Sequence, residues 1–457
     1  MSRFFKRLSS TISIKPIPSK AHHHRVLPDS AFPAGYLLTG VHAGVKKNAD
    51  VLDLAVILST SQNTTSAAAC FTRNAFKAAP VLVSDQILSE NGGRARGLVV
   101  NSGCANAVTG RQGLDDAWAM SIETDALLPP STSRFKHHTL VMSTGVIGQR
   151  LPIDSILKGI RSQTSTESSS TLGSDYAAWE RAAKAFMTTD TFPKLRARAF
   201  TIRGTEYRIA GMDKGAGMIH PNMGPASTAL HATLLGCILT DAAVSPRSLQ
   251  TALTYAMDRS FNCISVDGEM STNDTVLVLA NGAAAPNAVE IDESTDKEAY
   301  DVFKAELTAF AIDLAQLVVR DGEGATKFVT VNVKGAPTYE DAHRIASRIS
   351  TSALVKTALY GEDANWGRVL SAAGSVPLPN VDPKNVSVSF VPSDGTKSLG
   401  VLVNGEPENV DEERAKEILS LEDFGICIEL SAGSEEATYW TCDFSYEYVR
   451  INGDYRS

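Results

Sequence analysis

Three short stretches of the chain combine glycine with a residue that can take part in acyl or proton chemistry. "KGAGMIHPNM" carries Lys214 beside glycines that let the backbone approach another group closely. In "MSTGVIG", Thr144 and Gly145 follow an apolar strand, where a hydroxyl and a backbone N–H can point at one oxyanion. "VRDGEGATK" holds Glu323 between two glycines. Taken singly, each stretch is equally well explained as ordinary turn chemistry.

A fourth stretch, "LHATLLGCILTD" at residues 230–241, has the apolar composition of a buried strand but opens with Ala-Thr. A glycine-rich loop therefore leads into a strand whose first residue, Thr233, offers a hydroxyl nucleophile. The chain has no evident Ser/His/Asp set, and the patterns GxxxxGK[ST], GxGxxG after a strand, and HExxH do not occur in it. If Thr233 is a nucleophile, it would therefore have to act without a Ser/His/Asp set and without any of these three motifs.

Strand and helix patterns are mixed along the chain. Residues 196–212 predict a hairpin that turns near Gly204 and Thr205. Residues 245–260 and 296–319 predict helices, and "TYEDAHRIASRI" begins with Thr338 and Asp341 in capping-box spacing. Apolar strands come in pairs without an intervening helix, as at residues 385–404, which favours an α+β layered fold over a doubly wound parallel sheet. The predicted strands include "DLAVILST", "GLVVNSG", "HTLVMSTG", "DTVLVLANG", "KFVTVNVKG", "NVSVSFV", "GVLVNG" and "FGICIEL".

Composition narrows the function classes. The 457 residues carry a formal net charge of −8, so there is no basic surplus to neutralise nucleic-acid phosphates. No apolar stretch reaches the roughly 20 residues of a membrane helix. The six cysteines lack CxxC spacing and are expected to be free, buried thiols in a reducing compartment. We expect neither a nucleic-acid partner nor a membrane span nor a metal site.

The first 28 residues differ from the rest. They contain six lysines and arginines, many serines and no acidic residue before Asp29. Phe4, Phe5 and Leu8 stand at helical spacing, and a long apolar core is missing. This pattern predicts a mitochondrial transit peptide and a matrix location, with a disordered basic tail as the alternative.

Nine segments together resemble the ornithine acetyltransferase family, also called the bifunctional ArgJ family. The resemblance runs over nearly the whole chain after the basic start and implies a layered α/β/β/α sandwich within the α+β class, of the type shared with DmpA-like enzymes. The segments occur in family order: "NSGCANAVTG", "VMSTGVIGQRLP", "MTTDTFPK", "KGAGMIHPNM", "HATLLGCILTDA", "FNCISVDGEMSTNDT", "VRDGEGATKF", "ALYGEDANWGR" and "YVRINGDYRS".

The resemblance implies that the chain cleaves itself between Ala232 and Thr233. Residues 29–232 would become an alpha chain, and residues 233–457 a beta chain that begins with the threonine nucleophile. Thr144 and Gly145 would form the oxyanion hole. The implied substrate pocket consists of Thr188, Lys214, Thr233, Glu323, Asn452 and Ser457, the last standing where the family usually has threonine.

The implied reaction is acetyl transfer from N2-acetylornithine to glutamate through a Thr233 acetyl-enzyme, a glutamate N-acetyltransferase activity in arginine biosynthesis. Acetyl-CoA is a second acetyl donor in some members of the family, and no other cofactor is implied. The implied assembly is a heterotetramer of two alpha and two beta chains. Two alternatives stay open at this point: a self-cleaving amidase or aminopeptidase with water as acceptor, and a non-catalytic amino-acid-binding protein.

The chain departs from the expected pattern in one place. Residues 224–231, "GPASTALH", stand between "HPNM" and the Ala-Thr pair, which bacterial members are expected to join directly. The insertion contains a competing threonine, Thr228. Thr233 is preferred because alanine precedes it and an apolar strand follows.

Overall fold

A computed structural model of the chain describes residues 15–130, 135–164, 169–225, 234–285, 287, 289–377 and 381–454. Within these ranges the strands form a four-stranded, a six-stranded and a seven-stranded sheet. The strands are β1 (Tyr36–Val41), β2 (Leu54–Ser59), β3 (Ser66–Thr72), β4 (Gly97–Cys104), β5 (Thr139–Val146), β6 (Lys194–Ile202), β7 (Thr205–Lys214), β8 (Met223–Pro225), β9 (Leu235–Thr240), β10 (Ile264–Ser265), β11 (Thr275–Ala280), β12 (Phe328–Ala336), β13 (Ser387–Pro392), β14 (Leu399–Val403), β15 (Glu406–Pro407), β16 (Asp423–Glu429) and β17 (Glu435–Cys442).

The helices lie between these strands and cover the sheets. They are α1 (Ala79–Glu90), α2 (Gly110–Asp125), α3 (Ile153–Arg161), α4 (Tyr176–Phe186), α5 (Pro246–Met257), α6 (Lys297–Arg320), α7 (Tyr339–Ser350), α8 (Ala353–Gly361), α9 (Trp366–Gly374), α10 (Glu412–Ser420) and α11 (Tyr446–Gly453). Short 3₁₀ turns occur at Ala21–His23, Asp29–Ala31, Phe261–Cys263 and Pro383–Asn385.

Local sequence signals explain several of these boundaries. The predicted hairpin is confirmed as β6–β7, and its two turn residues, Arg203 and Gly204, both have positive φ, as a tight hairpin turn requires. Each of the three predicted helices is confirmed and begins after a capping side chain. Ser245, Asp296 and Thr338 accept backbone N–H bonds at the starts of α5, α6 and α7.

The first sheet has the strand order β1-β2-β4-β5. Its edge pair, β4 and β5, is parallel, with Ser102 opposite Thr144 and Gly103 opposite Gly145. A Cβ on Gly145 would lie 2.3 Å from the backbone carbon of Gly103, and Gly145 has φ of 123°. The two strand ends can approach this closely only because Gly145 lacks a side chain. The close approach fixes the direction in which the Thr-Gly end of β5 leaves the sheet.

The second sheet, in the order β6-β7-β9-β11-β3-β8, holds the predicted buried strand near its centre. That strand is β9, which begins at Leu235 and is buried throughout. Leu235 pairs with Lys214 of the antiparallel β7 and with Thr275 of the parallel β11. The first residues of β9 are therefore surrounded by the last residue of β7 and the first of β11.

Two hydrophobic cores share this second sheet. Leu235, Cys237 and Leu239 of β9 face the core that contains the first sheet, whereas Leu234 and Ile238 face the core that contains α5, α6 and the third sheet. The third sheet has the order β10-β17-β12-β16-β13-β14-β15. Helix α4 contacts both β1 and β7, and α6 contacts both β6 and β17. This layering of helices and mixed sheets confirms the predicted α+β class.

All six cysteines are free, as expected, and Cys427 alone among them is only partly buried. No helix in the described ranges is long and apolar enough to cross a membrane.

Part of the basic amino-terminal segment packs on the fold. The Lys15 and Lys20 ammonium groups lie 2.9 Å from Glu362 and 2.5 Å from Glu422, and the Lys20 side chain is buried. Residues 1–14, which carry the first part of the predicted presequence, lie outside the described residues.

Candidate active site

The ends of the first and second sheets meet at Thr144 and Lys214. Thr144 stands near the end of β5 and is 2 % exposed, and Lys214, the last residue of β7, is 4 % exposed. The Lys214 Nζ donates a hydrogen bond to Thr144 Oγ1 at 3.3 Å. Two of the predicted site residues, 70 positions apart in the chain, are thus in direct contact.

The residues that directly follow the predicted cleavage point lie next to Lys214. Ala232 and Thr233 lie outside the described residues, as does Ser457. Leu234, the next residue after Thr233, is fully buried, and its carbonyl accepts the Thr275 N–H at 2.7 Å. Leu235 pairs with Lys214. Thr233 is therefore only two positions along the chain from the residue that pairs with Lys214.

Asp190 connects the predicted residue Thr188 to the lysine strand. One of its carboxylate oxygens accepts the Gly215 N–H at 2.8 Å, and the other accepts the Thr188 N–H at 2.8 Å. Burial would raise the pKa of this carboxyl, but the charges of Lys194 and Lys214 outweigh burial and hold the pKa below its usual range. Asp190 is therefore an anion that fixes Thr188 and the backbone just after Lys214.

A fully buried ion triad supports Asp190 from behind. The Lys194 Nζ lies 2.5 Å from Asp190 and 2.5 Å from Asp321, and none of the three side chains is accessible to solvent. Burial would lower the pKa of Lys194, but the two carboxylates raise it above its usual range. Thr191 donates its backbone N–H and its hydroxyl to Asp321. The triad holds residues 188–194 against the loop that follows α6.

That same loop brings Glu323 against the residues that follow Lys214. Glu323 is 7 % exposed, and its N–H donates to the Ala216 carbonyl at 2.8 Å. A Cβ on Gly217 would lie 2.3 Å from Glu323 Oε2, so the glycine makes room for this carboxylate. The Asn452 Nδ2 of α11 donates to the same oxygen at 2.7 Å. Glu323 and Asn452, both predicted, are therefore joined.

Lys214 lies among several charges. Burial lowers its pKa, while the carboxylates of Asp190, Asp274 and Glu323 oppose that shift and Lys194 adds to it. A lysine with a lowered pKa gives up its proton more readily than a solvated one, so its charge can respond to a bound substrate.

A cavity of about 1200 Å³ opens beside this cluster. Gly145, Thr188 and Asp190 line it, and so does Lys46. Burial lowers the pKa of Lys46 to about 8, and its ammonium donates to the carbonyls of Leu52 and Met187. Gly145 and Thr188 therefore face a space large enough for an amino-acid substrate.

The described part of the chain contains no group of three or more His, Cys, Asp or Glu side chains that could hold a metal ion.

The residues around Thr144 and Lys214 are suited to acyl chemistry. A hydroxyl and a glycine N–H lie at the end of one strand, and a lysine and two carboxylates lie around the start of another.

Sequence reasoning missed Asp190, Lys194 and Lys46. Asp190 lies inside "MTTDTFPK", a segment that carries the family resemblance, so an ionisable residue two positions after Thr188 was the available signal. Lys194 stands at the end of the same segment. Lys46 lies in a polar stretch with no distinguishing pattern.

A family model and several similar proteins all carry the ArgJ name. The family model described as "ArgJ family" matches residues 37–457. The chain is similar to three fungal proteins that carry the name arginine biosynthesis bifunctional protein ArgJ, mitochondrial. One, from Laccaria bicolor, is 73 % identical, with all of both chains covered. The Coprinopsis cinerea protein is 72 % identical, with 99 % of each chain covered. The Cryptococcus neoformans protein is 54 % identical, with 99 % of this chain and 96 % of the relative covered.

Proposed function

The chain belongs to the ArgJ family, and from that premise we propose that it is a self-cleaving ornithine acetyltransferase of arginine biosynthesis. It transfers the acetyl group of N2-acetylornithine to glutamate through an ester on Thr233. The observation that carries the proposal is the contact between Lys214 and Thr144. Because Lys214 pairs with Leu235, this contact puts the Thr-Gly end of β5 beside the strand that Thr233 precedes.

Maturation is an intramolecular acyl shift. The Thr233 Oγ attacks the Ala232 carbonyl carbon, the C–N bond breaks, and the nitrogen leaves with a proton as a free α-amine. Water then hydrolyses the ester and leaves the Ala232 carboxylate. The products are a chain that ends at Ala232 and a chain of residues 233–457.

The new α-amine supplies the base for transfer. Its reference pKa is about 7.7–8.0, so roughly a tenth of the amine is neutral at pH 7 and more at higher pH. The neutral amine can take the proton of the Thr233 hydroxyl as that oxygen attacks the acetyl carbonyl. The Thr144 hydroxyl and Gly145 N–H stabilise the oxyanion. Ornithine leaves with the proton, and the glutamate amine then attacks the ester and releases N-acetylglutamate. Loading and unloading alternate, which is ping-pong kinetics.

The charged groups of the site select two different side chains in turn. The carboxylate of Glu323 suits the ornithine ammonium, whereas the amino group of Lys214 suits the glutamate carboxylate. Asn452 can donate or accept, and Thr188 faces the cavity. Ser457 completes the proposed pocket with a hydroxyl.

Replacing Glu323 by glutamine should weaken acetylornithine use about tenfold and weaken glutamate acceptance much less. The amide keeps the shape and the contact with Asn452 but loses the charge that pairs with the ornithine ammonium. The two half-reactions are measured separately, as acetyl loading of the 233–457 chain and as its discharge by glutamate. Glu340→Gln, an exposed change in the first turn of α7, is the control. Equal damage to both half-reactions would make Glu323 a general electrostatic element of its loop.

An assay of purified protein tests the proposed function as a whole. Two fragments on a denaturing gel, and ornithine release that depends on glutamate, are the expected results. Ornithine release without glutamate would indicate an amidase that uses water. A single uncleaved chain that binds amino acids would indicate a binding protein. Acetyl-CoA in place of acetylornithine tests the second donor, which the word bifunctional in the relatives' names supports.

The mitochondrial names of the relatives support import, and we propose a matrix enzyme of two alpha and two beta chains. The sequence predicted a presequence of 28 residues, but the packing of Lys15 and Lys20 supports one that ends earlier, before residue 15.

Mass spectrometry of the mature alpha chain from mitochondria should therefore find Lys20 retained, because its side chain is buried and pairs with Glu422 of the fold. An alpha chain that begins after Lys20 would contradict this boundary. Protein expressed with its full amino-terminal segment outside mitochondria is the control for cleavage by other proteases.

A further inference from the structure

Lys46 is a cation on the wall of the cavity for which the proposed mechanism has no use. It lines the cavity together with Gly145 and Thr188. Its ammonium donates to the Leu52 carbonyl at 2.9 Å and to the Met187 carbonyl at 2.7 Å. Both acceptors are neutral, and no acidic side chain of a described residue forms an ion pair with this ammonium. An ammonium has three N–H donors, so these two bonds leave one donor for a ligand in the cavity.

The backbone of Lys46 is held as firmly as its ammonium. The Asp53 side chain is 0 % exposed and accepts the N–H groups of Ala43, Val45 and Lys46 at 2.5, 2.7 and 2.9 Å. Both ends of the Lys46 side chain are therefore fixed before any ligand arrives. A ligand that binds to this ammonium does not have to order it, which lowers the entropy cost of binding.

The stem of Lys46 runs beside the glycine pair at the end of the first sheet. A Cβ on Gly103 would lie 3.4 Å from Lys46 Cγ. Gly103 pairs with Gly145 across β4 and β5, and Gly145 belongs to the proposed oxyanion hole. The ammonium ends at the carbonyl of Met187, the residue before Thr188. Lys46 therefore reaches from the proposed oxyanion hole to Thr188 along one wall of the cavity.

The two proposed substrates share a charged group that no residue named so far binds. N2-acetylornithine and glutamate differ at the ends of their side chains, where Glu323 and Lys214 are proposed to select between them. Both carry an α-carboxylate. Its carbon is two bonds from the nitrogen that gives up or receives the acetyl group, a separation of about 2.5 Å. A cation that binds this carboxylate therefore has to lie close to the oxyanion hole.

Among the lysines of the cavity wall, Lys46 is the one suited to this carboxylate. Lys184 also lines the cavity but pairs with Glu180 at 2.9 Å. Lys47 lines it as well, but it is exposed, so solvent weakens its interactions. Burial lowers the pKa of Lys46 to about 8, so most of this amine is still charged at pH 7. A partly buried cation attracts a carboxylate more strongly than a solvated one, because less water screens the pair.

We propose that Lys46 binds the α-carboxylate of both substrates. Its remaining N–H donates to a carboxylate oxygen and orients the nitrogen that carries or receives the acetyl group. The same contact forms in both half-reactions, whereas Glu323 and Lys214 act on different side chains in turn. The inference rests on the proposed function, because that function supplies the two substrates.

Paired substrates test the proposal on the wild-type enzyme. N2-acetylornithine and its α-carboxamide differ at this group alone, and so do glutamate and its α-carboxamide, isoglutamine. In each pair kcat/KM should fall by about tenfold or more from the carboxylate to the carboxamide, because the charged partner of Lys46 is lost. In ping-pong kinetics each kcat/KM reports the half-reaction of one substrate, so donor and acceptor are measured independently. Equal use of the carboxylate and the carboxamide would overturn the proposal.

Lys46→Met removes the ammonium and keeps a stem of similar shape. In this variant the carboxylate and the carboxamide should be used about equally, for the donor and for the acceptor, because neither finds a cation. A merely structural role of Lys46 would lower kcat/KM for both members of a pair and leave their ratio at the wild-type value, which would overturn the proposal. Lys46→Gln is the second variant, with the same expected ratio, in case the first does not fold or cleave.

Lys47→Met is the matched control. It removes the same charge from the next residue along the chain, which also lines the cavity. Its discrimination against both carboxamides should match the wild type. Loss of discrimination in both variants would assign the effect to the general charge of the cavity and overturn the proposal.

Glutamine as acceptor distinguishes the two carboxylates of glutamate. Lys46→Met should discriminate between glutamate and glutamine as the wild type does, because these two acceptors differ only at the end of the side chain. If Lys46→Met instead used glutamate and glutamine equally and still rejected isoglutamine, Lys46 would bind the side-chain carboxylate and the proposal would be wrong. Wild-type transfer from N2-acetylornithine to glutamate tests the proposed function alone, so that function stands even where the Lys46 variants contradict this inference.

Discussion

Thr233→Ala should yield one uncleaved chain with no measurable transferase activity. The substitution removes the oxygen that attacks the Ala232 carbonyl, so no ester forms and no amine is released. The same oxygen is the acetyl carrier in transfer, so both functions are lost together. A denaturing gel and intact mass report cleavage, and transfer from N2-acetylornithine to glutamate reports activity.

Two further variants make this result specific. Thr233→Ser keeps a hydroxyl and should still cleave, more slowly. Thr228→Ala removes the competing threonine of the 224–231 insertion and should cleave and transfer like the wild type. A Thr233→Ala chain that still splits after Ala232 would show that another residue attacks, and the assignment of Thr233 would then be wrong.

Thr144→Ala should slow acetyl transfer by about 10² or more, with a smaller effect on KM. The hydroxyl is expected to donate to an oxyanion that exists only in the transition state, so its loss raises the barrier more than it weakens substrate binding. It also removes the hydrogen-bond acceptor of Lys214. Steady-state kcat and KM for both substrates are the measurement.

Thr139→Ala is the control for Thr144→Ala. Thr139 is also a buried threonine of β5, but it stands at the opposite end of that strand. Its loss should leave kcat unchanged. If Thr144→Ala instead showed normal kcat and a strongly raised KM, Thr144 would be a substrate-binding group and the oxyanion hole would have to lie elsewhere.

Much of the local structure could be predicted from the sequence, because helix starts and hairpin turns are marked by residues close together in the chain. The capping residues Ser245, Asp296 and Thr338 mark the starts of three helices. The turn at Arg203 and Gly204 marks the hairpin. Each of these features depends on residues within a few positions of one another, so a single chain read in order is enough to find them.

The arrangement of the site could not be predicted from local sequence signals. Asp190 is identified by its bonds to Thr188, Lys194 and Gly215, the last of them 25 positions away. The contact between Lys214 and Thr144 joins residues 70 positions apart. Both sets of contacts depend on the order and register of the strands, which residues far apart in the chain determine.

A Thr233 acetyl-enzyme is tested by the intact mass of the 233–457 chain after cleaved enzyme is mixed with N2-acetylornithine in the absence of glutamate. This chain should gain the mass of one acetyl group, fragmentation should place the group on Thr233, and added glutamate should remove it as N-acetylglutamate. Transfer that proceeds at full rate with no acetylated 233–457 chain, or with the acetyl group on another residue, would contradict a Thr233 acetyl-enzyme.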